Sequence, residues 1–151
     1  MKKFILVLLL FACQLTQANM DDIFLSIGLI DKNFNILNRD RYQDFFNGVN
    51  RDSAKKMPIP IDSGSRMITM NINPNSFIMV IQIDGVDSEV DMPDKKWIDV
   101  AKRNFCKGSY AQSKTIRKDG GMIVVATFMN DKFERILDVT FNTKECDQIL
   151  S

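Results

Sequence analysis

The spacing of apolar and polar positions changes period several times along this chain. Tyr42, Phe45, Phe46 and Val49 fall at i, i+3, i+4 and i+7, which makes one apolar stripe on a helix. Asn38 or Asp40 is placed to cap its start, and Pro58 stops it by disfavouring helical geometry in the residue before it. Residues 57–65 read as a proline-bounded loop. The period then becomes two. Ile68, Met70 and Ile72 alternate with Thr69 and Asn71, which predicts a half-buried strand with Met67 on its other face. After the turn 73–76, Phe77, Met79, Ile81 and Ile83 alternate on a returning strand whose other face carries Ile78 and Val80. The two strands should form an antiparallel hairpin.

An acidic connection over 84–94 follows. Pro93 opens a second predicted helix that runs to Cys106, with Trp97, Ala101 and Phe105 at i, i+4 and i+8. Asp94 near its start and Lys102 and Arg103 near its end both suit the helix dipole. Residues 113–118 suggest a short strand. Residues 122–129 are apolar on both faces, as in a central strand. Residues 130–132 make a turn, and Phe133, Leu137, Val139 and Phe141 alternate with Glu134, Asp138 and Thr140 on the last strand. Residues 20–37 are apolar without a clear period. Gly28 interrupts them, so a short helix and an extended segment are both compatible. The order helix, hairpin, helix, hairpin predicts an α+β domain: an antiparallel sheet of two hairpins with helices packed on one face.

The start of the chain changes this picture by adding an export signal. Lys2 and Lys3 precede the unbroken apolar run 4–12, which is too short to span a bilayer. Thr16 and Ala18 put small residues where a signal peptidase cleaves. Residues 1–18 therefore read as a signal peptide and 19–151 as a single domain. The rival reading is lipidation of Cys13, with Leu10 and Ala12 at lipobox positions and a bulky Phe11 between them. Membrane association follows only under that rival. The protein would then be an outer-membrane lipoprotein; otherwise it is periplasmic or secreted.

Charge excludes one class of partner. The chain has 20 Lys and Arg against 19 Asp and Glu. Loss of Lys2 and Lys3 leaves a small acidic excess and no basic block, so nucleic acid is not expected as a partner. Both readings of the leader remove Cys13 from disulfide chemistry, which leaves Cys106 and Cys146 as a pair. The chain-entropy model credits a closed loop of about 40 residues with roughly 4 kcal/mol.

Candidate chemistry is sparse. The protein has no histidine, so the usual base for a serine or cysteine nucleophile is missing. Ser53-Ala54-Lys55-Lys56 matches the S-x-x-K of serine acylases without its companion motifs. Asp84, Asp87, Glu89 and Asp91 are close enough to hold calcium, but their spacing departs from the EF-hand pattern. No metal or other cofactor is expected. The nine methionines read as adaptable core filling or, alternatively, as a greasy groove for a partner helix. The groove candidates are Met67 and Met70.

The stretches NRDSAKKMPIPIDSG, MITM, SFIMVIQI, the helix ending at Cys106, KDGGMIVVATF, and LDVTFNTKEC closing at Cys146 together form a pattern over residues 50–146. It resembles that of the β-type pilotins of bacterial type II secretion. The resemblance implies a small α+β lipoprotein that binds a C-terminal helix of an outer-membrane secretin. It also implies a structural Cys106–Cys146 disulfide. The combined expectation is a non-enzymatic exported protein-binding module of a Gram-negative bacterium. The alternatives are a secreted or periplasmic virulence factor or immunity protein, or a small carboxylate-dependent hydrolase.

Overall fold

A computed structural model describes residues 19–88 and 96–151. Residues 1–18, with Cys13, lie outside the described residues, as do Glu89, Asp91, Pro93 and Asp94. The segment whose period was ambiguous begins with helix α1 (Met20–Ser26), capped by the Asn19 side chain and closed before Gly28, whose φ is +69°. Helix α2 (Arg39–Ala54) starts where the Asn38 side chain accepts a 3.0 Å bond from the Arg41 N–H. It buries Tyr42 and Phe46, and its spacing reflects the apolar stripe.

The predicted loop at 57–65 contains a short strand instead, β1 (Ile59–Asp62). It pairs antiparallel with β2 (Ser65–Asn73) through Ile59↔Met67. Two prolines masked it in the sequence, but at a sheet edge a proline loses no ladder bond. Strand β3 (Ser76–Ile83) returns antiparallel to β2, as the alternation predicted. Three helices then cross over: α3 (Lys96–Cys106), α4 (Ser109–Gln112) and α5 (Lys114–Lys118). The last replaces the short strand expected over 113–118. Ser113 caps α5, with its hydroxyl accepting from the Ile116 N–H at 3.2 Å, so the local capping signal outweighs the weak alternation.

Strand β4 (Ile123–Met129) follows, then β5 (Arg135–Asn142), one 3₁₀ turn (Thr143–Glu145) and helix α6 (Cys146–Leu150). Phe133 lies in the β4–β5 turn, with φ +63° and 62% exposure, rather than on the strand. The sheet runs β1-β2-β3-β4-β5. It is mostly antiparallel, but the two hairpins join through a parallel β3/β4 pair. A helical crossover between adjacent strands makes that pairing possible.

One face of the sheet holds Phe77, Met79, Ile81, Val124, Phe128, Val139 and Phe141, all buried. The helices cover this face through aromatic contacts. Phe24 meets Tyr42 edge-on at 5.1 Å and Tyr42 meets Phe46 at 5.2 Å, while Phe105 bridges Phe77 at 5.4 Å and Phe141 at 5.5 Å. Cys106 and Cys146 form the expected disulfide, with Cα atoms 5.2 Å apart, tying the end of α3 to the start of α6.

Candidate docking surface

Met67 and Met70 are not on opposite faces. The β2 register shifts between Met67 and Thr69, a bulge at Ile68. Met67 then pairs with Ile81, Met70 with Met79 and Ile72 with Phe77, so all three share the helix-covered face. A strict period of two cannot reveal an inserted residue. Met67 is 2% exposed and belongs to the core, whereas Met70 is half-buried against it.

Met70 sits where β2 loses its outer neighbour, since β1 pairs no further along β2 than Met67. The next outward backbone groups are those of Ile72. Asn50 of α2 holds both, with its side-chain oxygen accepting from the Ile72 N–H and its amide donating to the Ile72 carbonyl, each at 2.8 Å. Asn50 thus substitutes for a neighbouring strand. Its spacing from the apolar stripe gives no hint of this role.

The opposite face of the sheet carries a different surface. Ile78 pairs with Val125 and Ser76 with Ile123, which sets Ile78, Val80, Ile123 and Val125 on the two central strands. Ile78 is 42% and Ile123 49% exposed. Polar columns flank them: Thr69 and Asn71 on β2, and Asp138 and Thr140 on β5. This apolar stripe spans two strands, about 10 Å. An α-helix with its side chains is about 10–12 Å wide. The alternation on β3 already showed apolar residues on both faces. Which face would be left open depended on where the helices packed.

At one end of the stripe, Gln82 is buried to 1% exposure. It accepts from Arg66 Nε at 2.7 Å and donates to the Asn130 carbonyl at 3.2 Å. Asp84 of the acidic connection lies 3.7 Å from Arg66, and Asp87 pairs with Lys132 at 3.2 Å. That pairing raises the Lys132 pKa. No group of three or more His, Cys, Asp or Glu side chains among the described residues could hold a metal ion. Ser53 and Lys56 lie at the end of α2 and just beyond it.

The chain is therefore a disulfide-linked α+β protein with one sheet face under helices and an apolar stripe on the other. No family model and no curated protein matches it. Among solved structures it is similar to a Pseudomonas aeruginosa protein assigned as secreted, at 14% identity and a TM-score of 0.51. That match covers 74% of this chain and 98% of the other. It is also similar to the type II secretion system pilotin AspS of Vibrio cholerae (13% identity, TM-score 0.47) and the type 2 secretion pilotin EpsS of Vibrio vulnificus (12%, 0.49). Each covers 72% of this chain and 94% of the other. The likeness is one of fold.

Proposed function

We propose that this chain is a non-enzymatic exported module that binds an amphipathic helix of a protein partner. The observation behind this reading is the stripe of Ile78, Val80, Ile123 and Val125. It is apolar, rimmed by polar columns and matched in width to one helix. Isolated exposed apolar residues are ordinary on protein surfaces. A contiguous stripe across two paired strands is the kind of patch that marks an interaction site. The resemblance of residues 50–146 to pilotins gives this reading its particular form, a helper of a secretion assembly in a Gram-negative envelope. In this reading residues 1–18 are removed as a signal peptide and 19–151 form the working domain. A mature N-terminus at Asn19 would support it. Acyl chains on Cys13 would instead make the protein an outer-membrane lipoprotein. Intact mass of the protein from its host separates the two.

The open β2 edge at Met70 is the alternative surface, with Met67 supporting it from beneath. Photocrosslinkers at Ile123, Met70 and the exposed Gln43, introduced in the native host, distinguish the two. The stripe reading expects one dominant adduct from Ile123 alone. A synthetic helix from that partner should bind the purified protein and lose at least tenfold in affinity with Ile78→Asp, a change of about 1.4 kcal/mol or more. Equal adducts from all three positions would refute a defined docking surface. A dominant adduct from Met70 would move the site to the sheet edge.

A further inference from the structure

We propose that the helical crossover between β3 and β4 is a cationic face by which the protein binds an anionic lipid surface. The near-neutral total of the chain conceals a strong division of charge. Residues 96–118, which hold α3, α4 and α5, carry seven Lys and Arg against one acid, Asp99. The rest of 19–151 carries eleven against eighteen. The crossover therefore has a net charge of +6 and the remainder −7. Charge divided in this way gives one face a positive potential although the whole chain has none.

The cations of the crossover are also the ones left without partners. Outside it, Arg39, Arg66, Lys132 and Arg135 each pair with a carboxylate. Among the described residues of the crossover only Arg117 does, with Asp147 at 2.8 Å. Lys102, Arg103, Lys107 and Lys114 form no ion pair among the described residues. Packing sorts α3 into two sides. Ile98 and Phe105 pack against the core, where Phe105 reaches Phe77 and Phe141 of the sheet. Val100, Arg103 and Lys107, at i, i+3 and i+7, are exposed on the ridge turned away from the sheet. Lys102 flanks that ridge. Its Nζ lies 5.8 Å from the Phe141 ring centroid, so its stem runs over apolar surface and the ammonium stays at the margin.

Val100 decides between a lipid surface and a soluble anion. It is 40% exposed and stands one turn from Arg103. A helix that sets cations around an apolar side chain suits the boundary of headgroups and acyl chains, where the cations meet phosphates and the apolar group lies below them. A soluble polyanion uses the cations and leaves Val100 in water. The acidic remainder of the molecule is repelled by the same surface, which favours a single orientation. In that orientation α3 faces the bilayer and the apolar stripe, on the opposite side of the sheet, faces away from it. The inference depends on the crossover alone. It stands whether or not the stripe binds a helix, and it needs no acyl chain on Cys13.

The test uses the protein expressed with its own leader, with Cys13→Ala to exclude an acyl chain, and purified after export. Sedimentation measures its binding to vesicles of phosphatidylglycerol and phosphatidylcholine in equal parts, and to phosphatidylcholine alone. Each cation near an anionic surface strengthens binding about fivefold, so four of them with one apolar contact give half-binding at about 1 mM lipid in low salt. Neutral vesicles should bind at least about tenfold more weakly, and salt at about 0.5 M should release the protein. Arg103→Glu with Lys107→Glu should weaken binding at least about twentyfold. Lys55→Glu with Lys56→Glu, an exposed pair at the end of α2, should change it less than about threefold. Val100→Ser should weaken vesicle binding about threefold and leave binding to soluble poly-glutamate unchanged. All these positions are exposed, so the variants should keep the melting temperature of the parent. No sedimentation with the anionic vesicles at about 10 mM lipid in low salt, equal binding to neutral vesicles, or equal losses from the two charge reversals would overturn the proposal. Poly-glutamate that binds as tightly, charge for charge, as the vesicles do would assign the face to a soluble acidic partner and overturn the lipid reading.

Discussion

Replacement of Asp21 by alanine should be among the most destabilising single changes in this protein. Asp21 lies in the first turn of α1 and is 1% exposed. Its carboxylate accepts from the Ser113 hydroxyl at 2.7 Å, the Lys114 N–H at 2.7 Å and the Thr115 N–H at 3.2 Å. These bonds join segments more than ninety positions apart, and they satisfy donors at the start of α5 that have no partner within the helix. Hydrogen bonds to a charged group contribute about 1.5–3 kcal/mol each, and they do not add fully. Alanine would leave the Ser113 hydroxyl and the Thr115 N–H without acceptors, because Ser113 is 0% and Thr115 1% exposed. With the lost bond to Lys114 added, two buried donors left unsatisfied at about 1–3 kcal/mol each give an expected cost of about 3–5 kcal/mol. For a domain of this size that lowers the melting temperature by roughly 10 °C. Urea unfolding at neutral pH followed by circular dichroism measures it. Asp22→Ala is the control: its side chain is exposed, so it should change stability by less than about 0.5 kcal/mol. A loss under about 1 kcal/mol for Asp21→Ala, or equal losses for both variants, would refute this account.

Tyr42 is buried and its hydroxyl has no hydrogen-bond partner among the described residues, so Tyr42→Phe should be neutral or stabilise by up to about 1 kcal/mol; a clear drop in melting temperature would contradict it. Burial raises the pKa of Tyr42 and pushes that of Tyr110 up to about 12. Both rings are favoured neutral in the folded state, so their contribution is complete below pH 10, the unfolded value, and is lost as pH rises through the folded values. Stability should therefore fall between pH 10 and 12, and Tyr110→Phe should flatten that decline in urea titrations. The double variant Cys106→Ala with Cys146→Ala should cost roughly 4 kcal/mol, and thiol titration of the denatured, unreduced parent should find neither cysteine free. At Gly121 φ is +77° and an added Cβ would lie 2.4 Å from Asn142 Oδ1, so Gly121→Ala should cost about 2 kcal/mol or more. Gly48→Ala, inside α2 with open space around it, should instead stabilise by about 0.5–1 kcal/mol, and thermal melts distinguish the two.

What the sequence determined by itself was local and periodic. The stripe from Tyr42 to Val49 specified α2, and Asn38 specified its first turn, because helix faces and caps are set by neighbours three or four positions apart. Alternation from Phe77 to Ile83 specified β3 and showed that both of its sides were apolar. Cysteine number and an exported reading were enough to pair Cys106 with Cys146. The tertiary structure decided whatever depended on partners distant in the chain. The bulge at Ile68 moved Met67 and Met70 onto one face, since a register is fixed by the opposing strand and not by the strand's own pattern. Pro60 was compatible with β1 because β1 is an edge. Residues 113–118 became a helix once Asp21, from the far end of the chain, could accept from its first N–H groups. Which face of the central strands stayed open was settled by where the aromatic cluster drew the helices. The candidate stripe of Ile78 and Ile123 therefore exists as a surface only in the folded chain, although each of its residues is plain in the sequence.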